Sequence, residues 1–374
     1  MKFTVEQQSL TDAVNWVSRS LSTRPIKTEL LGIKIDATGN EVLLSGSDLE
    51  TSSKASCKAD ILTKGEVLVP GKLLAEISRS LPNKPISITL DGSRVLVTSG
   101  SAKFTLPTLS LSEYPNLPEL PQTTGSVASD TFATAVAQVA IAAGRDDSLP
   151  TLTGVHVDIN KETITLAATD RYRLAVRELS WQAKNNEIES STLVRARTLS
   201  DAAKSLTSSD QVTIALTPTG SHERLIGFVS ELKTMTSRTL DGTFPPFKHL
   251  LPAESTSHAI VEVNTLLDSV RRVALVTDKT VPLKLIFSPG NLELQAGSGN
   301  EATASENISI GYSGEEFSTG FNPQFLIDGV QAVDAPFVHL SFTALNKHAI
   351  FMGKKEADAS PDTSYKYLLM PMRY

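Results

Sequence analysis

The sequence predicts an α+β protein of three tandem domains, and three observations predict it. An amphipathic helical face near the N-terminus returns twice further along the chain. A second such face follows each of these at a similar distance. The stretches between and after the helices alternate as β-hairpins do.

Leu10, Ala13, Val14 and Val17 have the spacing of a helix with one buried face. The same frame recurs as Phe132, Ala135, Val136 and Val139, and again as Leu266, Ser269, Val270 and Val273. The second frame runs Val69, Leu74, Ile77 and Leu81, then Val194, Leu199, Ala202 and Leu206, then Phe321, Leu326, Gly329 and Val333. Two helices recurring in one order, without internal gaps, mark true repetition. Gly32-Ile-Lys-Ile-Asp36, Gly154-Val-His-Val-Asp158 and Leu283-Lys-Leu-Ile-Phe287 each lead through a turn into a second alternating run. Ile86-Ser-Ile-Thr-Leu90, Val212-Thr-Ile-Ala-Leu216 and Val338-His-Leu-Ser-Phe342 start further hairpins after the second helix. Each unit therefore reads helix, strands, helix, strands, an α+β domain of about 120 residues. Pro-rich joints at Glu113–Pro121 and Gly242–Pro252 set the expected domains at 1–124, 125–253 and 254–374.

The remaining bounds exclude whole classes. A chain of 374 residues is too long for one ordinary core. Hydrophobic residues at 40% and charged residues at 20% describe a globular protein. The formal charge of −6 gives no hint of a nucleic-acid or membrane partner. One cysteine, Cys57, rules out an intrachain disulfide framework and suits a reducing compartment. Met1-Lys-Phe-Thr-Val-Glu6 has no basic-then-apolar leader, and no apolar run has the length of a membrane helix. A soluble cytoplasmic protein is expected.

Candidate chemistry does not assemble. The histidines at 156, 222, 249, 258, 339 and 348 show no metal-ligand spacing, and His156 and His339 read as strand residues. Gly65 to Lys72 has the wrong spacing for a phosphate loop and Leu73 where a hydroxyl is needed. Gly297-Ser-Gly-Asn-Glu-Ala302 is followed by strand text, so no helix N-terminus is there to hold a pyrophosphate. Asp146-Asp147 reads as a solvated loop, and the sequon Asn307-Ile-Ser309 has no secretory signal. No catalytic centre, metal or cofactor is expected.

Several local stretches resemble one family, the bacterial DNA polymerase III β subunit, or β sliding clamp. They are Ser47-Asp-Leu-Glu50, Val69-Pro-Gly-Lys72, Tyr114-Pro-Asn-Leu117, Ala168-Thr-Asp-Arg-Tyr-Arg-Leu-Ala175, Asp241-Gly-Thr-Phe-Pro245, Gly320-Phe-Asn322 and Met370-Pro-Met-Arg373. Each is weak alone. Their order across the whole chain, with three repeats, is specific. The resemblance implies three tandem domains of the DNA-clamp fold, helices inside and sheets outside, with two subunits closing a six-domain ring on duplex DNA. The protein would then be a non-catalytic processivity subunit that reads no bases. Its partners would be double-stranded DNA, a second copy of itself, and the polymerase III catalytic subunit. The clamp loader, other DNA polymerases and mismatch-repair or ligase proteins would join them through a short clamp-binding peptide. Loading would need an ATP-driven partner. Two rival classes remain: a repeat-built protein-binding scaffold without a DNA role, and a hydrolase with an unassembled site.

The resemblance also implies site residues. DNA-facing cations would be Arg24, Lys72, Arg79, Arg145, Arg195, Arg197, Lys204, Arg271 and Arg272. The six helical segments together are mildly basic in an acidic chain, which suits a loose contact with phosphates. The subunit interface would use Ile77, Phe104 and Leu106 against Leu275 and Val276. A partner-peptide pocket between the second and third domains would be walled by Leu152, Thr169, Arg171, Tyr172, Arg173 and Leu174. Pro245, His249, Leu250, Leu368, Leu369, Met370, Pro371, Met372 and Arg373 would complete it. Two of the five methionines fall in this tail, and unbranched Met side chains suit a surface with many partners. Removing Leu369 through Tyr374 is expected to abolish peptide binding. Three departures stand out. Asp147-Ser-Leu-Pro-Thr-Leu-Thr-Gly154 lacks the family's aromatic residues, with Arg145 a substitute contact. Arg171 stands for a glycine, and His249 for an arginine.

Overall fold

The repeated helical faces are buried as their spacing requires, from Leu10 and Val14 in the first copy to Val270 and Val273 in the third. The structure is a computed structural model. It describes residues 1–185, 187–207, 209–218, 221, 223–251, 255–277, 281–297, 302–343 and 348–373. His222, Pro252, the centre of the Gly297–Ala302 stretch and Tyr374 lie outside the described residues.

The first repeat runs β1 (Lys2–Val5), α1 (Gln7–Ser18), β2 (Gly32–Asp36), β3 (Val42–Ser47), β4 (Thr51–Cys57), β5 (Ala59–Thr63), β6 (Glu66–Pro70), α2 (Gly71–Ser80), β7 (Ile86–Asp91), β8 (Arg94–Ser99) and β9 (Ala102–Pro107). The second runs β10 (Thr123–Ala128), α3 (Ser129–Ala140), β11 (Gly154–Asn160), β12 (Thr163–Thr169), β13 (Arg173–Ser180), β14 (Gln182–Ala183), β15 (Glu189–Arg195), α4 (Ala196–Ser205), β16 (Gln211–Leu216), β17 (Leu225–Ser230) and β18 (Lys233–Arg238). The third runs β19 (Ser257–Glu262), α5 (Val263–Val273), β20 (Leu283–Ser288), β21 (Asn291–Ala296), β22 (Ala304–Ser309), β23 (Gly311–Ser313), β24 (Phe317–Phe321), α6 (Pro323–Gln331), β25 (Phe337–Phe342), β26 (Ala349–Lys354) and β27 (Asp362–Leu369). The order is the same three times. Each copy opens on a strand that the sequence reading did not separate from its helix, because the strand runs into the helix with no turn residues between.

Local chemistry starts the two helices of the third repeat. Asn322 accepts hydrogen bonds from the backbone N–H groups of Gln324 and Phe325 at 3.0 and 3.1 Å, and Pro323 follows it. Glu262 caps α5 in the same way, accepting from Asn264 and Thr265.

The chain packs as two compact units. One comprises Met1–Ala133, Trp181–Ile188 and Thr198–Thr239; the other comprises Thr134–Ser180, Glu189–Arg197 and Leu240–Tyr374. The first holds a five-stranded sheet, β5-β1-β7-β8-β9, and a nine-stranded sheet, β14-β10-β16-β17-β18-β4-β3-β2-β6. The second holds a nine-stranded sheet, β15-β11-β12-β13-β27-β26-β25-β19-β23, and a four-stranded sheet, β22-β21-β20-β24. Both nine-stranded sheets join five strands of one repeat to four of the repeat before it. The seam is β18 on β4 in one, with Met235 opposite Ser53, and β27 on β13 in the other, with Tyr367 opposite Ala175. The five-stranded and four-stranded sheets are the halves left over, with β9 and β22 as edges.

The β22 edge is pinned to α5. Arg272 donates to Glu306 through Nη2 at 2.6 Å and Nε at 3.0 Å, and Ser269 Oγ donates to the same carboxylate at 2.6 Å. These bonds, Arg272 first, hold the Glu306 carboxyl down at about 2. A depressed carboxyl stabilises the fold above its ordinary value near 4.5, and that contribution is lost as pH falls toward 2. Between pH 6 and pH 3 the unfolding midpoint of Glu306→Gln should therefore fall less than that of the unsubstituted chain. Parallel falls would show that the bridge adds nothing.

Candidate functional site

The turn between β12 and β13 is built by its own side chains. Asp170 Oδ1 accepts the backbone N–H groups of Tyr172 and Arg173, both at 3.1 Å. Thr169 Oγ1 donates to the Arg173 carbonyl at 2.6 Å and accepts the Arg171 N–H at 3.2 Å. Arg171 is thereby held at φ 78°, a left-handed conformation that favours glycine. The first repeat makes the same turn with the same bonds. Asp48 accepts from Glu50 and Thr51, Ser47 donates to the Thr51 carbonyl, and Leu49 sits at φ 80°. Ser47 takes the place of Thr169, and the tip side chains differ: Leu49, Glu50 and Thr51 in one copy, Arg171, Tyr172 and Arg173 in the other.

Arg173 organises the second copy. Only 6% exposed, it donates through Nε to Asp170 Oδ2 at 2.9 Å and through Nη1 to Asp328 Oδ2 at 2.7 Å. Its guanidinium lies 4.1 Å from the centre of the Phe325 ring. Burial alone would lower its pKa, but Tyr367, Asp328 and Asp170 outweigh burial and raise it, so the charge is locked in. Tyr367, itself pushed up by burial, donates to the Phe325 carbonyl at 2.8 Å. Gly329 lets α6 approach this closely, since a Cβ there would stand 2.2 Å from the Tyr367 ring.

Beside this network lies a groove of about 350 Å³, wholly within the second unit. Its walls are the turn from Asp170 to Arg173, the start of α6 at Gln324, Phe325 and Asp328, and the segment after α3 from Ala143 to Asp146 with Leu149 and Leu152. Beyond it, Ala167, Leu174, Val176, Leu193, Phe244, Phe247 and Leu368 form a buried apolar cluster against which Leu240, Leu250 and Leu251 pack. His156 stacks on Phe244 at 5.1 Å. The tail runs past the turn: Met370 N–H donates to the Tyr172 carbonyl at 2.9 Å and Met372 N–H to the Gly320 carbonyl at 2.8 Å.

Of the expected pocket residues, Leu152, Arg171, Tyr172 and Arg173 line the groove. Leu174, Leu368 and Leu369 are buried in the sheet, where β27 pairs with β13 from Tyr365 to Leu369. Thr169 spends its hydroxyl inside the turn, while Pro245, His249 and Arg373 are exposed and Leu250 packs on the cluster. Met370 is exposed, and Pro371 and Met372 are half-buried. Sequence reasoning missed Asp170, Gln324, Phe325 and Asp328 on the groove, and Phe244 and Phe247 beneath the joint. Asp328 is the single charged residue of α6, the one signal that could have pointed to it.

Of the expected DNA-facing cations, Arg24, Lys72, Arg79, Arg145, Arg197, Lys204, Arg271 and Arg272 are exposed. Arg145 stands on the groove. Arg195 is half-buried with Asp147 at 3.9 Å, Arg271 lies 3.5 Å from Asp268, and Arg272 is held by Glu306. The expected interface set divides. Phe104 and Leu275 are exposed, Leu275 at 84%, and Val276 is half-buried. Ile77 and Leu106 are buried within the single chain, Leu106 fully. No cluster of three metal-ligating side chains occurs among the described residues.

Three domain models of one family match the chain: the DNA polymerase III beta subunit N-terminal domain over residues 1–118, its central domain over 126–246 and its C-terminal domain over 248–373. The chain belongs to the DNA polymerase III beta subunit family. The beta sliding clamp of Streptomyces coelicolor is 48% identical over 373 residues, covering 100% of this chain and 99% of that protein. The beta sliding clamp homolog GriR of Streptomyces muensis is 44% identical over 374 residues, covering 100% of both. The solved sliding clamp of Bacillus subtilis, 24% identical, superposes with a TM-score of 0.90 over 100% of this chain and 99% of that one. The Pseudomonas aeruginosa clamp bound to griselimycin, 26% identical, superposes with a TM-score of 0.92 over 100% of both. This beta subunit is a DNA sliding clamp, a non-catalytic processivity factor of DNA replication, and neither a hydrolase nor a scaffold without a DNA role.

Proposed function

We propose that two copies of the chain close a ring around duplex DNA by joining β9 of each to β22 of the other, and that the groove beside Arg173 receives a short peptide from the proteins the ring tethers. One observation carries the first half. Each complete sheet has nine strands, five from one repeat and four from the repeat before, and the only halves left over among the described residues are a five and a four. A second copy supplies what each half lacks. The seams already present set the register: Phe104 is the counterpart of Met235 and Tyr367, and Ala304 of Ser53 and Ala175. Phe104 then falls opposite Ala304 of the second copy, and Lys103 opposite Ser305. Two such head-to-tail seams related by a two-fold axis close on themselves, leaving no free edge at either.

A closed ring needs no base contacts to stay on DNA. Exposed Arg24, Lys72, Arg79, Arg197 and Lys204 supply a sequence-blind, salt-sensitive attraction to phosphates. The proposed peptide donors are the polymerase III catalytic subunit, the clamp loader, other polymerases and repair proteins, with an ATP-driven loader opening the ring. A family member that holds griselimycin supports a ligand-accepting surface. No helix among the described residues is long and apolar enough to cross a membrane, which fits the proposed cytoplasmic setting.

The tail tests the second half. Leu369 is fully buried and pairs with Arg173 and Ala349, so a cut before it would damage the sheet. Removing residues 370–374 leaves β27 whole. The shortened chain should bind a fluorescent clamp-binding peptide more than about tenfold more weakly, since the exposed Met370 and half-buried Met372 side chains would each contribute roughly 1–2 kcal/mol on covering by the peptide. It should still be retained on circular DNA. Unchanged peptide affinity would refute the groove as the docking site.

A further inference from the structure

Trp16, Gln138 and Arg272 hold the same place in α1, α3 and α5, each following Leu10, Phe132 or Leu266 at one fixed distance. At the two seams inside the chain, this residue is tied to the strand that crosses from the next repeat. Trp16 Nε1 donates to the Lys54 carbonyl of β4 at 3.0 Å and to the Thr234 carbonyl of β18 at 3.3 Å. Those two residues stand opposite each other, so one indole holds both strands of the seam. Lys233, next to Thr234, brings its ammonium 6.0 Å from the Trp16 ring centre. At the second seam, Tyr365 of β27 donates its hydroxyl to the Gln138 carbonyl at 3.2 Å.

The third copy has the helix half of this arrangement on the open β22 edge. Glu306 takes the Nε and Nη2 groups of Arg272, and Ser269 Oγ also accepts Nη2, at 3.3 Å. Among the described residues Arg272 Nη1 has no hydrogen-bond partner, and the side chain is 59% exposed. In the register of the internal seams, β9 of a second copy offers Ala102 where β18 has Lys233 and β27 has Tyr365. Lys103 stands for Thr234, and Ala102 falls opposite Glu306. Alanine has no reach toward the helix. At this seam the crossing group must come from the helix side, where the long arginine stands.

We propose that Arg272 stitches the seam between two copies: clamped on Glu306, it donates Nη1 to the main-chain carbonyl of Lys103 of the second copy, as Trp16 donates to Thr234. The proposal rests on the reading of two copies joined through β9 and β22. It takes Arg272 out of the DNA-facing set, since a fork already neutralised by Glu306 has little left for a phosphate. A hydrogen bond from a charged donor is stronger than one between neutral groups, and Glu306 balances the charge that the seam would bury.

A dilution series followed by native mass reads the dimer. Arg272→Met suits a helix and should weaken the dimer about ten- to a hundredfold, the worth of a hydrogen bond to a charged group, with circular dichroism unchanged. That variant also strips Glu306 of its partner, so a second comparison isolates the stitch. Arg272→Met combined with Glu306→Gln should dimerise at least about fivefold more weakly than Glu306→Gln alone. Arg271→Met, one residue earlier on α5, should leave the dimer unchanged. Equal affinities in the second comparison, or an equal loss in Arg271→Met, would overturn the stitch. So would an unchanged dimer in Arg272→Met with a shallower salt dependence on DNA, which would return Arg272 to the phosphates. An unsubstituted chain that stays single at micromolar concentration would overturn the ring reading and the stitch with it.

Discussion

Replacing Arg173 by methionine should cost the chain about 3 kcal/mol of stability, the lower end of what breaking one partner out of a buried ion network removes. Methionine keeps most of the volume, so the loss is electrostatic rather than a cavity. Asp170 and Asp328 would be left facing each other's charge without the fork between them, and Phe325 would lose the cation on its face. The lower end applies because both carboxylates keep some contact with water. Because β13, β27 and α6 meet at this side chain, the groove should loosen and peptide affinity fall with stability. Denaturant titration measures the first. A change under about 1 kcal/mol would mean that Arg173 is there for the ligand and not for the fold.

Introducing aspartate at both Phe104 and Leu275 should turn a dimer into a monomer. Leu275 is the most exposed leucine of the described chain, and Phe104 is an exposed aromatic on an edge strand. Such residues are disfavoured on a free monomer and favoured at the centre of an interface. Burying a carboxylate in place of either costs several kcal/mol, enough to weaken association more than about a hundredfold. Native mass at micromolar concentration should show single chains with unaltered secondary structure. A persistent dimer would mean that the β9 and β22 edges do not meet.

The threefold repeat was legible because helical faces and hairpin turns are local signals, and every position of both helical frames is buried where they imply. The opening strands were not, since a short strand that enters a helix directly has no punctuation. Nor was the sharing of sheets between repeats: β4 with β18 and β13 with β27 pair residues far apart in sequence, where periodicity carries no information. The site divides the same way. Arg171, Tyr172 and Arg173 were found through the family's motif, whereas Asp328 reaches Arg173 across 155 residues. Ile77 and Leu106, expected at the interface through the resemblance, are buried within the single chain.

Retention on DNA tests the ring most directly. The clamp is loaded on nicked circular DNA, free protein is removed, and the bound fraction is followed before and after one cut linearises the circle. A closed ring that holds DNA topologically should stay on the circle and run off the linear molecule through its ends. Loss at equal rates from both forms would contradict it.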